Sequence, residues 1–243
     1  MPAQKAHSGS SRARRGPPWT AENSAGFISP VGVAIDVVLL SVRDGALSLV
    51  LVRDDDDQLV LPGGFVLDTE DAEAAASRHL REKTGVEAPR HLEQLKTFTD
   101  PSRDHRGWIP SLAYLALVPP ETDLSGERAL WQSLSDGVPK LGYDHTGILE
   151  IALDRIRGKL WWSNIAVGIL PGEFTMTRAH EVYEAIAGIK YDPSTFARDL
   201  NHTALVEPTR EHVMTSRGRS AALYRFVSDD LVWGEGRRKR VRG

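Results

Sequence analysis

The fold is decided by Pro62-Gly63-Gly64-Phe65-Val66-Leu67-Asp68-Thr69-Glu70, which is followed after seven residues by Arg78-His79-Leu80-Arg81-Glu82-Lys83-Thr84-Gly85-Val86. The apolar residues Leu59–Leu61 lead into the two glycines, and the segment Thr69–Thr84 is rich in alanine and charge. This order predicts a short strand, a tight turn and then a helix. Gly85 lies where a helix needs a left-handed C-cap residue, so we expect the helix to end there.

One face of this predicted helix carries only some of the residue types that bind Mg²⁺. Positions 79, 82 and 83 are spaced i, i+3 and i+4, so their side chains share that face. Carboxylates on such a face can hold Mg²⁺ beside a diphosphate and activate a water. The residues here are His79, Glu82 and Lys83, and a lysine ammonium has no acceptor with which to ligate Mg²⁺. The alternative is an ordinary amphipathic helix with a surface lysine paired to a helix acid.

The composition excludes several classes of protein. The chain of 243 residues is 41% hydrophobic and 26% charged, which is typical of a folded protein and not of a disordered one. It has no cysteine, which excludes disulfides, a thiolate nucleophile and a zinc site built on sulfur. No apolar run approaches the roughly 20 residues that cross a bilayer, and no apolar segment follows the basic residues near the N-terminus. We therefore expect a cytoplasmic protein with no membrane partner.

The charge is unevenly distributed, although the net charge is only -3. Residues 1–28 are basic and rich in Ser, Gly and Pro, which predicts a disordered arm. Residues 29–160 are acidic, and residues 236–243 form a basic tail that contains Arg237-Arg238-Lys239-Arg240. Basic flanks around an acidic centre indicate contact with a polyanion. A solvated tail that keeps the protein soluble is the alternative.

Two patterns divide the chain between these flanks. Residues 29–160 alternate strands and helices, which predicts an α/β unit that ends in a helix over Thr146–Leu160. Residues 161–235 predict a helix from Thr175 and a second helix opened by the cap Asp192-Pro193. Two short strands follow, joined by the basic loop Arg217-Gly218-Arg219, which is the outline of a winged helix-turn-helix. The predicted strands are Val31–Val42, Ala46–Arg53, Leu59–Leu61, Leu95–Phe98, Ile109–Val118, Ala204–Glu207 and Ala222–Val227.

The stretch around Gly64 resembles the Nudix box. The resemblance implies a Nudix-like α/β/α sandwich with a mixed sheet in the first unit. In an active member of that family, positions 79, 82 and 83 would all be glutamate, so His79 and Lys83 speak against hydrolysis. We therefore assign no catalytic residue and no metal ligand, and we expect no required cofactor. The residues in register with the box are Gly64, Glu70, Arg78, Leu80, Glu82, Gly85 and Val86.

Roughly residues 30–227 resemble the Nudix-related transcriptional regulators of NAD metabolism (NrtR). That resemblance implies a homodimeric repressor that binds a double-stranded operator of NAD-biosynthesis genes. It also implies that the Nudix-like domain senses ADP-ribose or a related NAD metabolite, which releases the DNA. The alternative is a working Mg²⁺-dependent hydrolase, an ADP-ribose pyrophosphatase, with an accessory domain. Segments that carry the resemblance include Thr97-Phe98-Thr99-Asp100, Arg103–Trp108, Tyr143-Asp144-His145, Leu170-Pro171, Phe196-Ala197-Arg198 and Leu223-Tyr224-Arg225-Phe226.

The candidate effector residues combine the altered box with cations on nearby segments. Arginines in the loop 103–106 can donate two parallel hydrogen bonds to a phosphate. Trp108 is either a base-stacking side chain or, more commonly, a core residue. Asp144 and His145 are interpreted as an N-cap pair of the following helix. The effector candidates are Arg53, Gly64, Glu70, Arg78, Glu82, Lys83, Arg103, Asp104 and Arg106.

The candidate DNA-binding residues lie on the second helix and the loop of the C-terminal unit. The second helix of a helix-turn-helix enters the major groove, where an arginine can pair with guanine. Phe196 and Leu200 share a face and are expected to pack inward. Each arginine could instead be a solvated charge, and the unit could bind a protein partner. The DNA-binding candidates are Ser194, Thr195, Arg198, Asn201, His202, Arg217 and Arg219.

Overall fold

The structure is a computed structural model that describes residues 20–22, 28–30, 32–104, 106, 108–214, 218 and 220–234. The candidates Arg217 and Arg219, the basic tail and residues 1–19 lie outside these described residues. Strand β1, Thr20–Glu22, pairs antiparallel with β2, Ile28–Pro30. The expectation of a disordered arm over residues 1–28 is therefore wrong for residues 20–22 and for Ile28, which lie in strands.

A mixed sheet of seven strands forms the centre of the first unit. Its middle strand β3 runs parallel to β8 and antiparallel to β4 and β6, and β7 flanks β8 antiparallel. The β3–β4 hairpin turns at Asp44 and Gly45, both with positive φ, as a tight two-residue turn requires. The strands are β3 Ala34–Arg43, β4 Ala46–Arg53, β5 Leu59–Val60, β6 Gly63–Phe65, β7 His91–Phe98, β8 Ser111–Leu117 and β9 Ala129–Ser133.

Several strands of this sheet differ from the sequence expectation: β3 begins at Ala34 and not at Val31, and β6 occupies Gly63–Phe65, where a tight turn was predicted. Strand β7 begins at His91, four residues before the predicted Leu95. The prediction missed this first half because a register shift between Gln94 and Lys96 interrupts the alternation of apolar residues. Strand β9 was not predicted, and it pairs with β4 over residues 129–133.

Helix α1, Ala72–Thr84, follows the turn at the glycines. The side chain of Asp71 caps it by accepting a hydrogen bond of 2.8 Å from the backbone of Ala74, so the helix starts later than the predicted Thr69. Gly85 ends it in the left-handed conformation (φ 81°), as predicted. Ala75, Ala76 and Leu80 pack on one face of the sheet.

Helix α2, His145–Lys159, covers the opposite face of the sheet, which completes three layers. Its apolar residues Ile148, Leu149, Ala152 and Ile156 are almost fully buried within the chain. The apolar stripe of α2 therefore packs into the protein's own core and is not available to a second copy of the chain.

The second unit has the winged helix-turn-helix arrangement. Its three-stranded sheet has the order β10-β12-β11. The predicted cap Asp192 accepts from the backbone of Thr195 at 2.8 Å. Thr175, predicted as the first helical residue, is the cap of α3 and accepts from the backbone of Arg178 at 3.1 Å. Its first wing strand runs to Met214, beyond the predicted Glu207. The elements are β10 Phe174–Thr175, α3 Met176–Ala187, α4 Pro193–His202, β11 Val206–Met214 and β12 Ser220–Phe226.

The two units share one continuous apolar core. Helix α3 contacts α2, β3 and β4, and its buried Val182 and Tyr183 belong to the same cluster as Leu49 of the first sheet. Because such cores are close-packed, a shift of α2 must be accommodated by α3. In the described part of the chain, no helix is both long and apolar enough to cross a membrane.

Candidate functional site

Arg78 holds both glutamates that remain of the Nudix-box pattern. Its guanidinium donates to the two carboxylate oxygens of Glu70 at 2.9 and 2.5 Å, and to Glu82 at 3.1 Å. A fourth hydrogen bond, 2.9 Å long, goes to the carbonyl of Phe65 and anchors the arginine to β6. The hydrogen bond from Arg78, with that from the backbone of Leu67, lowers the pKa of Glu70 to about 2. Glu70 therefore stays ionised and is bound to the arginine.

His79 is a buried packing residue. Its side chain is only 7% exposed, and its Nε2 lies 3.0 Å from the carbonyl of Phe65, so that nitrogen is the donor. The ring lies against Gly64, where an added Cβ would approach it to 2.4 Å. Burial lowers the pKa of His79 and favours the neutral ring. Among the described residues, no three His, Asp or Glu side chains are grouped so that they could hold a metal ion.

A cavity of about 760 Å³ lies beside these residues, between the glycine turn, the end of β4 and two loops. It brings together most of the predicted effector residues, but Glu70 and Arg78 are not among its described lining. The predicted residues that line it are Arg53, Gly64, Glu82, Lys83, Arg103, Asp104 and Arg106. Lining residues that sequence reasoning did not find include Asp36, Phe65, Arg128, Tyr143 and His145.

Arg103 lies in the wall of the cavity with its guanidinium already occupied. It donates to Asp144 at 2.8 and 3.0 Å, to Asp36 at 2.9 Å and to the carbonyl of Ile109 at 3.0 Å. Its side chain is 3% exposed. These four hydrogen bonds hold the side chain between β3 and the start of α2, so Arg103 can donate to a phosphate only if it gives up some of its present partners.

Asp36 is the acid at the centre of this network. Burial alone would raise the pKa of Asp36, but His145, the hydroxyl of Ser111 and Arg103 together lower it to about 2. Ser111 donates to Asp36 at 2.6 Å, and His145 lies 3.2 Å away. The signal in the sequence was a single acid within the apolar strand 34–43, which calls for buried partners.

The interpretation of Asp144 and His145 as an N-cap pair is correct for the position of Asp144 but wrong for the role of the two side chains. Asp144 stands at the cap position of α2 but makes no side-chain capping hydrogen bond, since its carboxylate is bound to Arg103. His145 uses Nδ1 to accept from the backbone of Leu61 at 3.0 Å and faces Asp36 with Nε2. Both residues tie the start of α2 to the cavity wall.

Arg106 and the aromatic side chains form another part of the wall. Arg106 donates to the buried Asp104 at 2.9 and 2.6 Å, and it lies 5.2 Å from the ring centroid of Phe65 and 5.7 Å from that of Tyr143. Trp108 is not a core residue: it is 45% exposed and donates to the carbonyl of Thr99 at 3.1 Å. Tyr143 and Phe65, and not Trp108, are the described aromatic residues of the cavity lining.

Helix α4 presents one polar face to solvent. Phe196 and Leu200 are buried against the rest of the unit, as expected. Arg198 is paired with Asp199 at 3.1 Å, an exposed contact that a phosphate or a base could replace. The exposed DNA-binding candidates of this helix are Ser194, Thr195, Arg198, Asn201 and His202.

Both units match the sequence models of known domain families. Residues 30–141 match the sequence model of the NUDIX domain, and residues 166–226 match that of the NrtR DNA-binding winged helix domain. The ADPR responsive transcriptional repressor NtrR of Acinetobacter baylyi is 30% identical over 215 residues, which are 84% of this chain and 85% of the relative.

Solved structures that are similar to the chain include two of Shewanella oneidensis NrtR. Shewanella oneidensis NrtR complexed with a 27mer DNA has 31% identity and a TM-score of 0.70, covering 82% of this chain and 94% of that one. The NUDIX domain of Shewanella oneidensis NrtR complexed with ADP ribose has 31% identity and a TM-score of 0.50, covering 55% of this chain and 93% of that one. With a Nudix domain, a winged helix domain and a relative that matches over most of its length, the chain belongs to the NrtR family.

Proposed function

We propose that this protein is a transcriptional repressor that binds a double-stranded DNA operator and is released by ADP-ribose or a related NAD metabolite. Its target genes would be those of NAD biosynthesis. The observation that carries the proposal is a cavity beside the Nudix box in which Arg78 binds both remaining box glutamates. The same chain continues into a winged helix. A pocket whose remaining box glutamates are both bound to an arginine suits ligand binding better than metal-dependent hydrolysis.

The winged helix supplies the DNA-binding half of the proposal. The exposed face of α4 carries hydroxyl, amide, imidazole and guanidinium groups, which suit contacts to bases and phosphates in the major groove. Asn201 and His202 are held by the helix carbonyls of Ala197 (2.8 Å) and Arg198 (2.6 Å), so their orientation is set before DNA arrives. Arg217 and Arg219 are proposed to contact the DNA backbone from the wing loop.

The cavity is the proposed binding site of the effector. Its volume of about 760 Å³ lies in the usual range for small-molecule sites. Its wall combines cations with the faces of Phe65 and Tyr143, a mixture that suits a ligand with phosphates and a base. The relative that responds to ADPR and the ADP ribose complex of a related NUDIX domain support this ligand class.

Assembly as a homodimer is part of the proposal. Helix-turn-helix proteins commonly bind two half-sites with two copies of the reading helix. The stripe of α2 is buried, so a second copy must use another surface. Such a repressor would work in the cytoplasm, where operator and metabolite meet. Sedimentation of the full chain, alone and with an operator duplex, measures the stoichiometry.

The test is fluorescence anisotropy of a duplex from a NAD-biosynthesis promoter, titrated with protein at several salt concentrations. A scrambled duplex measures the nonspecific background. The proposal predicts specific binding that ADP-ribose reverses, with no AMP formed in the same sample. Binding no tighter than to the scrambled duplex would refute the repressor.

The hydrolase alternative is tested in the same reactions. It predicts Mg²⁺-dependent release of AMP from ADP-ribose by the native chain. The double substitution His79→Glu with Lys83→Glu restores the box carboxylates. Activity that appears only in this variant would exclude hydrolysis as the native function.

A further inference from the structure

We propose that the cavity binds the diphosphate group of its ligand without a divalent cation, and that the ammonium of Lys83 supplies the charge that Mg²⁺ would otherwise supply. The inference rests on the proposed function, because ADP-ribose carries such a diphosphate. Lys83 would then contact the ligand directly, and its presence in the box would mean more than the loss of a metal ligand.

The first observation is that Lys83 is the unpaired cation of the cavity. Within the described part of the chain, its side chain makes neither an ion pair nor a hydrogen bond, and it is exposed at the cavity wall. An ammonium without a partner is free to meet an anionic ligand at no cost in broken ion pairs. The other cations of the lining each have a carboxylate partner: Arg53 with Asp57 at 3.2 Å, Arg103 with Asp36 at 2.9 Å, Arg106 with Asp104 at 2.6 Å and Arg128 with Asp55 at 2.8 Å.

The second observation is that the backbone at Lys83 is fixed against another wall of the same cavity. The carbonyl of Thr84 accepts hydrogen bonds from Ser125 at 3.0 Å and from Gly126 at 3.3 Å. A Cβ added to Gly126 would lie 2.0 Å from the carbonyl oxygen of Lys83, so only glycine permits this approach. The base of the lysine side chain is therefore held where helix α1 meets the loop 125–128, at the wall of the cavity.

The third observation concerns the groups that a divalent cation would need. Glu70 and Glu82 both accept from Arg78, and His79 is turned away to the carbonyl of Phe65. A metal ion at this face would have to displace the guanidinium and then approach the ammonium of Lys83. Both steps are electrostatically unfavourable, whereas a diphosphate approaching the same ammonium is attracted.

The experiment is calorimetric titration of ADP-ribose into the full chain, once with EDTA and once with Mg²⁺. Binding is expected in EDTA, with an affinity within about twofold of that in Mg²⁺. Lys83→Met should weaken binding by roughly tenfold or more, the loss expected for one charge-assisted hydrogen bond. Lys83→Arg, which keeps the charge, should bind within about threefold of the native chain on the same basis.

Lys140→Met is the matched control, because Lys140 is exposed and is not among the described lining residues. Equal melting temperatures of the two methionine variants without ligand confirm that Lys83→Met is folded. Binding that requires Mg²⁺, or Lys83→Met that binds like the native chain, would overturn the inference and leave the repressor function standing. Metal-free binding that depends on Lys83 but leaves the operator bound would support the inference and refute the proposed function. No binding of ADP-ribose in either buffer would overturn both.

Discussion

Arg103 and Asp144 are joined by two hydrogen bonds, from Nε to Oδ2 at 3.0 Å and from Nη2 to Oδ1 at 2.8 Å. Arg103 lines the cavity, and Asp144 immediately precedes α2. The far end of α2 at Lys159 is bonded to Glu93 of β7, and the chain continues from there to the winged helix. A ligand that competes for the guanidinium of Arg103 would therefore act directly on the start of the helix that connects the two units.

Asp144→Asn tests this connection. Asparagine keeps the shape and the preference for an N-cap position but removes the charge that binds Arg103. We expect ADP-ribose and operator each to bind within a few-fold of the native affinities, while the effect of one ligand on the other falls by roughly 1 kcal/mol or more. Anisotropy titrations of the operator with and without ADP-ribose measure this coupling.

The control is Asp154→Asn, because Asp154 is exposed on the same helix. It should leave the coupling unchanged. Native coupling in Asp144→Asn would show that the Arg103–Asp144 pair does not transmit ligand binding.

Arg198→Ala tests the reading helix. The side chain lies at the exposed face of α4, and loss of a bidentate contact to a guanine costs about 1–3 kcal/mol. Operator affinity should fall by that amount with ADP-ribose affinity unchanged. Arg81→Ala, on the exposed side of α1, removes the same charge far from α4 and should not affect specific binding. An equal loss in both variants would mean that only net charge matters.

Gly64→Ala tests the packing of His79. The new Cβ would lie 2.4 Å from the imidazole ring, so we expect a loss of about 1–3 kcal/mol in the free energy of unfolding. In a His79→Ala background the same substitution should cost clearly less, because the clashing ring is gone. Urea unfolding of the four proteins gives the double-mutant cycle. Additive effects would contradict the close approach of the two residues.

Acid stability tests the buried network around Asp36. The pKa of Asp36 is lowered from 3.8 to about 2, so its carboxylate stabilises the folded state above pH 3.8. That contribution, roughly 2 kcal/mol, is lost as the pH falls from 3.8 to about 2. Between about pH 5 and pH 2 the native chain should therefore lose more stability than Asp36→Asn.

Asp123→Asn is the matched control, since Asp123 is exposed on a loop. Its stability should follow the native pH dependence. If Asp36→Asn shows the native slope as well, Asp36 is not the group whose protonation destabilises the fold.

Local structure could be predicted from the sequence, whereas contacts between residues far apart in the chain could not. Helix ends followed from single residues, such as Gly85 after α1 and Asp192 before α4, because caps depend on neighbours along the chain. The partners of Arg103 lie 67 and 41 residues away, at Asp36 and Asp144, and only the topology of the sheet brings them together. The cavity residues that were missed, Asp36 and Tyr143 among them, were missed for the same reason.

The altered box shows a second limit. Sequence spacing correctly placed positions 79, 82 and 83 on α1, but it gave no reason for His79 to turn away from the cavity. The ring turns because the carbonyl of Phe65 offers a hydrogen bond and Gly64 leaves space. The sequence left Lys83 as either a ligand residue or a surface charge, and its lack of a partner among the described residues and its place in the cavity wall favour the first.

The central claim, that one chain couples ADP-ribose to DNA, is tested most directly by titrating ADP-ribose into the protein alone and into the protein saturated with operator. Thermodynamic linkage requires each ligand to change the affinity of the other by the same factor. We predict that the operator weakens ADP-ribose binding by the factor by which ADP-ribose weakens operator binding. Equal affinity for ADP-ribose in the free and DNA-bound protein would contradict the account.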